Sequence, residues 1–266
     1  MQLVKRLSKV PLLGSLVDYY IKKKASKAAK EIAVHFSQFL CSKISENEEE
    51  KHKCFRVRHN VYCEELGFEE VKPNQLEMDE FDEHAYHCFI EHRKSNHVAG
   101  TVRVIYSEGE NQVLPIEKFC LNAIGNDHLL PKNFPRKEIS EISRLAVPAE
   151  FRKRATDKHG GAATGVLNLG SYSEEELRCF PFIAIGLYLS ATALVLEKGI
   201  NHCFVMMEPR LARSLRFVGI PFEQIGPVVD YHGRRAPYHV DPRKIPQTLS
   251  IGFQYLLEEI KKEITG

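Results

Sequence analysis

One apolar segment, from Phe182 to Lys198, constrains the fold more than any other part of the sequence. It follows Pro181, a residue favoured in a first helical turn, and it stops at Gly199, a residue typical of a helix end. Its apolar side chains would cover most faces of a helix, so such a helix must be buried. Because strand-like segments occur on both sides of it, we expect it to pack against a sheet.

The rest of the chain alternates between strand and helix patterns, which predicts an α/β (α+β) protein. Strands are predicted at Tyr86–Glu91, Val98–Tyr106, Lys137–Val147 and His202–Met207, with a closing hairpin formed by Phe222–Val229 and Ala236–Val240. Further helices are predicted at Lys22–Phe39, Pro209–Phe217 and Phe253–Ile264. Another is predicted to begin at a capping box formed by Ser45 and Glu48 and to end at about Leu66. The polar, Gly-rich residues 152–178 predict a long loop.

Charge is distributed unevenly along the chain. Residues 1–44 carry nine Lys or Arg and two acidic residues, a net charge of +7, which leaves −5 for the rest of a chain whose total is +2. A basic segment on a mildly acidic body favours an anionic partner, either a lipid surface or an acidic protein, and a solvated helix face explains it equally well. The small total charge predicts no nucleic-acid partner.

Cysteine and histidine spacing indicates neither a disulfide framework nor a metal site. The seven cysteines are scattered and never form Cys-x-x-Cys, which is typical of buried thiols in a reducing cytoplasm. His84 and His87 would point to opposite faces of a strand. We find no run of about 20 apolar residues for a membrane span and no signal peptide. A cytoplasmic protein is expected, with residues 1–44 as the candidate for peripheral contact with the inner face of the membrane.

Polar residues suited to chemistry are concentrated in three segments and at one strand position. In the first segment, Phe55–Phe68, Arg58 and Tyr62 lie four residues apart and share one helix face. The second segment, Glu77–Asp82, precedes a predicted strand. Arg103 lies within an apolar strand, where a charged side chain needs a partner or water.

The third segment is Glu141–Val147, where strand alternation puts Glu141 and Ser143 on one face and Arg144 on the other. Two interpretations of the three segments remain open. One is a functional site. The other is a structural lattice in which the arginines pair with the acidic residues, namely Arg58, Arg103 and Arg144 with Asp79, Asp82 and Glu141.

In this order, the motifs resemble those of the acyl-homoserine-lactone synthases, the N-acyl amino acid synthases and the acyltransferases associated with exosortase systems. The segments Gly219–Pro227 and Tyr231–Arg235 are most similar to the exosortase-associated group. The resemblance covers roughly residues 54–240. It implies an N-acetyltransferase-like fold, in which a mixed sheet flanked by helices is splayed between two central strands, here 138–147 and 202–207. The pantetheine arm of an acyl thioester would enter this splay.

The sequence patterns and the resemblance together predict three regions, and the resemblance implies a set of site residues. The regions are a basic helical extension (1–50), an N-acyltransferase domain (51–245) and a C-terminal helix (246–266). The residues at the family's characteristic positions are Arg58, Tyr62, Phe68, Asp79, Asp82, Arg103, Glu141, Ser143 and Arg144. Two departures matter. Phe68 stands where the lactone synthases usually have Trp, and the Gly-rich pyrophosphate loop of acetyltransferases is absent after Val147.

The implied reaction is transfer of a fatty acyl group from a thioester to the amine of an amino acid or a similar small acceptor. Because the pyrophosphate loop is absent, an acyl-carrier-protein donor is favoured over acyl-CoA, and no tightly bound cofactor is expected. Glu141 is the candidate general base, and Ser143 would orient the thioester or the base. Backbone N–H groups near Leu145 and Ala146 would stabilise the oxyanion if the strand bulges there.

Other roles remain open between several residues. Arg103 or Arg144 would bind an acceptor carboxylate, and the thiol would be protonated by Tyr62, Tyr231 or His232. Three other functions are retained as alternatives. These are a lactone synthase that uses S-adenosylmethionine, a CoA-dependent acetyltransferase, and a non-enzymatic binding module recruited to membranes by residues 1–44.

Overall fold

Eight strands form the central sheet of the protein. The computed structural model describes residue 31 and residues 33–107, 109, 112–152 and 173–265. The strands are β1 (Leu40–Ile44), β2 (Ala85–His92), β3 (Val98–Tyr106), β4 (Ile139–Ala146), β5 (His202–Met207), β6 (Glu223–Gln224), β7 (Val229–Asp230) and β8 (Arg234–Val240). The predicted strands that correspond to β2, β3, β4 and β5 are confirmed, with ends that differ by at most two residues. The predicted strand Phe222–Val229 is instead two separate two-residue strands, β6 and β7, and the predicted Ala236–Val240 lies within β8.

The sheet is mixed and opens in its middle. Its order is β1-β2-β3-β4-β5-β8-β6, with β7 paired to β8, and all neighbours are antiparallel except β4 and β5. The parallel pair is hydrogen-bonded only at its start, where Ile139–Glu141 lie beside His202–Phe204. Beyond that point β4 and β5 separate, which confirms the predicted splay between the two central strands.

Helices cover both faces of this sheet. They are α1 (Glu48–His59), α2 (Pro115–Phe119), α3 (Ala149–Arg152), α4 (Glu174–Cys179), α5 (Ile183–Glu197), α6 (Pro209–Val218), α7 (Ile245–Thr248) and α8 (Ile251–Thr265). Among the described residues, no helix combines the length and the apolar composition that crossing a membrane requires.

The apolar segment Phe182–Lys198 corresponds to α5, and it is buried as predicted. It packs on β2 and β3 on one side and against α8 on the other. Side chains from Leu187 to Val195 are almost entirely shielded from solvent, including those of Ser190 and Thr192. Both hydroxyls donate to carbonyl oxygens one turn back in the helix, at 2.9 and 2.8 Å. Polar side chains are therefore accommodated within the core without unpaired hydrogen-bonding groups.

The structure differs from the prediction at the N-terminal boundary. Residues 40–44 form the edge strand β1 of the main sheet, so the predicted helical extension does not end at residue 50. The buried side chains of Leu40 and Ser42 alternate with more exposed ones, which is the period of a strand. The N-cap of α1 is Asn47, which accepts from the Glu50 amide, and not Ser45 as predicted.

Two other predicted elements need correction or lie beyond what the structure describes. Helix α1 ends at His59 and continues as a π-helical turn over Asn60–Glu65, whereas one helix to Leu66 was predicted. Part of the predicted loop 152–178 is helix α4, capped by Ser173. Residues 153–172 of that loop and the predicted helix before residue 31 lie outside the described residues.

Two helix-end glycines offer a matched test of the packing around α6. Gly199 (φ 69°) and Gly219 (φ 106°) both have left-handed backbones, which cost other residues about 1–2 kcal/mol. A Cβ at Gly199 would meet no atom within 4 Å, whereas at Gly219 it would lie 2.2 Å from the Thr248 carbonyl oxygen. Gly199→Ala should therefore lower the free energy of unfolding by about 1–2 kcal/mol, and Gly219→Ala by clearly more. Urea denaturation of both variants measures this; equal losses would contradict the packing at α6.

Candidate functional site

Arg58 is fully buried and forms the centre of an ion-pair network. Its guanidinium donates two parallel hydrogen bonds to Asp82, at 2.6 and 3.0 Å, and a third from Nε to Glu77 at 2.5 Å. Burial would raise the pKa of Asp82, but the Arg58 charge and its hydrogen bonds hold it well below its usual range. The pair therefore stays ionised, and it joins α1 to the segment that precedes β2.

Arg103 extends the network from β3 toward β4. Its Nη1 donates to Asp79 at 2.5 Å and to Asp82 at 2.9 Å, its Nη2 donates to Asp79 at 3.0 Å, and its Nε donates to Ser143 Oγ at 3.1 Å. Every nitrogen of this buried guanidinium is engaged within the protein. The ion-pair interpretation thus describes Arg103, and its geometry does not support binding of an acceptor carboxylate.

Arg144 forms the outer edge of the same network. Its Nε donates to Glu77 at 3.1 Å, and its Nη2 lies 3.2 Å from Asp79 and 3.4 Å from Glu69. The guanidinium also lies 5.7 Å from the centroid of the Tyr62 ring. Burial would lower the pKa of Arg144, but Glu77 and Asp79 raise it above its usual value. The charge of Arg144 is thus already compensated by neighbouring carboxylates.

Strand β4 bulges at Arg144. Thr101 pairs with Ala146 and Arg103 pairs with Ser143, so β4 has one residue more than β3 over this stretch. Arg144 occupies the extra position with a φ of 51°, a left-handed backbone that is uncommon for a residue other than glycine. The bulge on which the oxyanion hypothesis depends is therefore present.

This bulge corrects one sequence expectation about side-chain direction. Strict alternation predicted Arg144 on the face opposite Glu141 and Ser143. Because the bulge interrupts the alternation, all three side chains line the same cavity. Tyr62, on the π-helical turn after α1, donates from its hydroxyl to the Leu145 carbonyl at 2.7 Å and so contacts the bulge directly. Such π-helical turns are often found at functional sites.

Glu141 is the buried carboxyl of this site. Only 3% of the residue is exposed, and its Oε2 accepts a hydrogen bond from the Ile116 amide in the first turn of α2, at 2.6 Å. Burial raises the pKa of Glu141 to about 8, although the Ile116 hydrogen bond and the charges of Arg103 and Arg144 act against this shift. A carboxyl with this pKa can exchange a proton with an amine near neutral pH.

Two connected openings surround these residues. The first, here called the polar cavity, has a volume of about 60 Å³. It is lined by Tyr62, Phe68, Glu69, Asp79, Phe81, Arg103, Pro115, Phe119, Glu141, Ser143, Arg144, Met206, Tyr231, His232 and Arg235. The turn between β7 and β8 closes it from above, where the rings of Phe68 and His232 lie 6.1 Å apart.

The second opening, here called the splay cleft, lies where β4 and β5 separate and has a volume of about 310 Å³. Its walls include Leu145 from β4, Val205 from β5, and Glu208 and Leu211 at the start of α6. Six residues line both openings, namely Tyr62, Phe68, Ser143, Arg144, Met206 and Arg235. A molecule that entered the splay would therefore reach the group of residues around Glu141.

The structure brings seven of the nine predicted site residues together at the polar cavity. These are Tyr62, Phe68, Asp79, Arg103, Glu141, Ser143 and Arg144. Arg58 and Asp82 are packed behind this group as its support. The sequence analysis did not single out Glu77 or Arg235 as site residues, although they lie in the segments Glu77–Asp82 and Tyr231–Arg235. Glu77 joins Arg58 to Arg144. The Ile116 amide had no sequence signal, because a backbone donor depends on the fold alone.

Among the described residues, no group of three or more His, Cys, Asp or Glu side chains is placed to hold a metal ion. All seven cysteines are free thiols, and six of them are buried. The side chains that line the polar cavity include carboxyls, hydroxyls and guanidinium groups.

Comparison with known families agrees with this geometry. Residues 57–159 match the acetyltransferase (GNAT) domain family. The match includes α1 from Val57 onward, the ion-pair network and all of β4. No curated protein matches the chain in sequence.

Several solved structures share the fold over most of their length. TofI, in a ternary complex with an inhibitor and MTA, is 14% identical with a TM-score of 0.57, and the match covers 80% of this chain and 96% of TofI. BjaI, a CoA-dependent acyl-homoserine lactone synthase with SAM and isopentyl-CoA, is 17% identical with a TM-score of 0.56, covering 82% of this chain and 89% of BjaI.

FeeM, an N-acyl amino acid synthase from uncultured soil microbes, is 14% identical with a TM-score of 0.52, and the match covers 81% of this chain and 97% of FeeM. The predicted N-acetyltransferase-like fold is confirmed, as is the resemblance to these two kinds of synthase. At such low identities the likeness establishes the fold, and together with the domain match it supports an enzyme that transfers acyl groups.

The raised pKa of Glu141 predicts a pH-dependent stability difference. A carboxyl whose folded pKa exceeds its unfolded value destabilises the fold as pH rises between the two, here from 4.5 to about 8. Glu141→Gln removes this cost, because an amide can still accept from the Ile116 amide without becoming charged. The variant should therefore gain stability relative to the wild type across that range, by at most about 1.4 kcal/mol per pH unit.

Urea denaturation at several pH values measures this difference, with the exposed Glu83→Gln as the control that should follow the wild type at every pH. A constant difference between Glu141→Gln and the wild type would contradict a buried Glu141 that titrates near pH 8.

Proposed function

We propose that this protein is an N-acyltransferase that moves a fatty acyl group from a thioester to the amine of an amino acid or a similar small acceptor. The observation that carries the proposal is the position of Glu141, a buried carboxyl with a raised pKa that lines the polar cavity two residues before Ser143, which lines both the cavity and the splay cleft. The cavity would hold the amine, and the cleft would hold the pantetheine arm and its thioester.

In the proposed reaction, Glu141 removes a proton from the acceptor, directly or through one water, as the amine nitrogen attacks the thioester carbonyl. The backbone N–H groups at the β4 bulge, near Leu145 and Ala146, would stabilise the oxyanion. Since Arg103 already donates to the oxygen of Ser143, the Ser143 hydroxyl keeps its own proton for the thioester. The tetrahedral intermediate then expels the thiolate as the C–S bond breaks.

The thiolate must take up a proton, and Tyr231 suits this role best among the three candidates. The Tyr62 hydroxyl already donates to the Leu145 carbonyl, and His232 is exposed on the turn between β7 and β8. Tyr231 lines the polar cavity, and burial raises its pKa above the usual value, so it remains protonated at neutral pH.

An acyl carrier protein is the proposed donor. Helix α6 starts at the mouth of the splay cleft, where Leu211 forms part of the wall, and it exposes Arg210, Arg213 and Arg216. Phe217 on the same helix is 91% exposed. Basic side chains around a large apolar one are suited to an acidic protein that carries its acyl group on a long arm. Acyl-CoA remains the second donor to be tested.

Space for the acyl chain is offered by an apolar pocket of about 320 Å³ that shares Leu66 and Leu145 with the splay cleft. Its remaining lining residues are Val61, Val147, Phe151, Arg152, Phe180 and Ala184. Residues of α5 from Leu187 to Val195 belong to the core, so the room for a chain longer than acetyl lies beside the start of α5 rather than along it.

A larger side chain in this pocket should shorten the preferred acyl chain. Ala184→Phe would fill the pocket without touching Glu141 or the ion-pair network. We expect the ratio of kcat/KM for long-chain to short-chain donors to fall by about tenfold or more, with short-chain activity retained. Competition assays with mixed acyl donors measure this ratio. An unchanged ratio, with the fold intact by circular dichroism, would exclude the pocket as the acyl site.

The proposed base is tested with purified protein, defined acyl-carrier-protein and acyl-CoA donors, and a panel of amines. Glu141→Gln should lower kcat by about 10²–10⁴ at neutral pH, whereas the exposed Glu83→Gln should leave it unchanged. For the wild type, kcat/KM should rise with pH and level off above about 8, because Glu141 must be ionised to accept a proton. Activity of Glu141→Gln within a few-fold of the wild type would exclude Glu141 as the base.

A lactone synthase is the second candidate, since BjaI, a CoA-dependent acyl-homoserine lactone synthase, shares this fold. With S-adenosylmethionine as the acceptor, such an enzyme would release an acyl lactone, whereas the proposed enzyme forms a stable N-acyl amino acid. Phe68, which lines both openings, stands where the lactone synthases usually have Trp. This difference favours the N-acyl amino acid as the product. Mass spectrometry of the products distinguishes the two. Absence of any product with every donor would instead favour a binding module.

The cellular setting remains a prediction from sequence. The basic residues 1–44 support peripheral contact with the inner face of the membrane from the cytoplasmic side, where a fatty acylated product would partition. The similarity of the segment Tyr231–Arg235 to exosortase-associated acyltransferases supports a role beside such a system.

A further inference from the structure

Arg235, the second residue of β8, lines both the polar cavity and the splay cleft. Its Nε is buried and has no hydrogen-bond partner. Its guanidinium also forms no ion pair with any of the described residues. In this it differs from Arg103 and Arg144, the other two guanidinium groups of the cavity, which are held by carboxylates.

An unpaired guanidinium with a buried nitrogen is costly to maintain, because burial removes water and supplies no compensating charge. The carboxylates of this site do not offer that compensation. Asp79 is bound to Arg103, and Glu69 contacts Arg144. Among the described residues of the cavity, Arg235 is therefore a cation without a carboxylate partner and is suited to an anionic group from outside the protein. A planar guanidinium fits a carboxylate in two parallel hydrogen bonds.

We propose that Arg235 binds the carboxylate of the acceptor, so that the substrates of this enzyme are amines that carry an acidic group, as amino acids do. The inference rests on the proposed function and deepens it. Glu141 and Arg235 line the same cavity and have complementary roles, since the carboxyl receives the proton of the amine while the guanidinium holds the anionic end. Two-point binding would fix the nitrogen for attack on the thioester.

An anion of the donor is the competing ligand for Arg235. The phosphate of a pantetheine donor lies at the far end of its arm from the thioester, whereas Arg235 lines the cavity that contains Glu141. A group on the acceptor is therefore the nearer anion. The exposed arginines of α6, at the mouth of the cleft, are better placed for the donor phosphate or its carrier.

The test compares amino acids with their carboxamides as acceptors, using the wild type, Arg235→Gln, Arg235→Lys and the exposed neighbour Arg234→Gln. The wild type and Arg234→Gln should prefer the acids in kcat/KM by about tenfold or more. In Arg235→Gln this preference should disappear through a higher KM for the acid, with carboxamide turnover retained, and Arg235→Lys should restore part of it.

Three outcomes would overturn the inference. One is an acid preference that survives in Arg235→Gln, and another is a raised KM for the thioester donor with the acceptor KM unchanged, which would assign Arg235 to the donor. The third is equal loss of activity toward acid and carboxamide, which would indicate a structural role. Failure of the wild type to acylate any amine would instead count against the proposed function itself, so the two failures are distinguishable.

Discussion

The bidentate pair between Arg58 and Asp82 is the interaction on which the rest of the site depends. It is buried between α1 and the segment before β2, and Asp82 also accepts a hydrogen bond from Arg103 of β3. Through Arg103 the network reaches Ser143 on β4. Buried charges are costly unless every partner is present, so removal of one arginine would leave carboxylates unpaired in the core. The network thus defines one arrangement of the elements that carry the proposed catalytic groups.

Two departures from a regular sheet create the reactive geometry. Strands β4 and β5 are hydrogen-bonded only from Ile139 to Glu141, so the sheet opens beside Glu141, the proposed base. Three residues further along, the bulge at Arg144 turns this side chain into the cavity, next to the backbone groups of Leu145 and Ala146. The proposed base and the proposed oxyanion donors therefore lie on one strand, on either side of the point where the splay cleft begins. A regular sheet would provide neither the opening nor the donors.

Much of this arrangement could be predicted from the sequence, and the exceptions have physical causes. The strands β2 to β5 and helix α5 were predictable because burial leaves a clear pattern in the sequence. Such a pattern is either an alternation of apolar residues at every second position or a continuous apolar run. Arg144 was assigned to the wrong face because a bulge leaves no trace in the alternation of residue types. Arg235 was overlooked as a binding residue because its importance lies in what it lacks, a carboxylate partner, and only the fold reveals that. The short edge strand β1 was read as helix because its five residues follow a helical segment.

The most direct test of the central claim, that this protein acylates small amines through Glu141, is mass spectrometry of lipid extracts from cells that express the wild type or Glu141→Gln. We expect N-acyl amino acids that are present with the wild type and nearly absent with the variant, and their masses would identify both the acyl chain and the acceptor. Equal amounts of such products with both proteins would contradict the assignment of Glu141, and acyl lactones in their place would contradict the proposed acceptor.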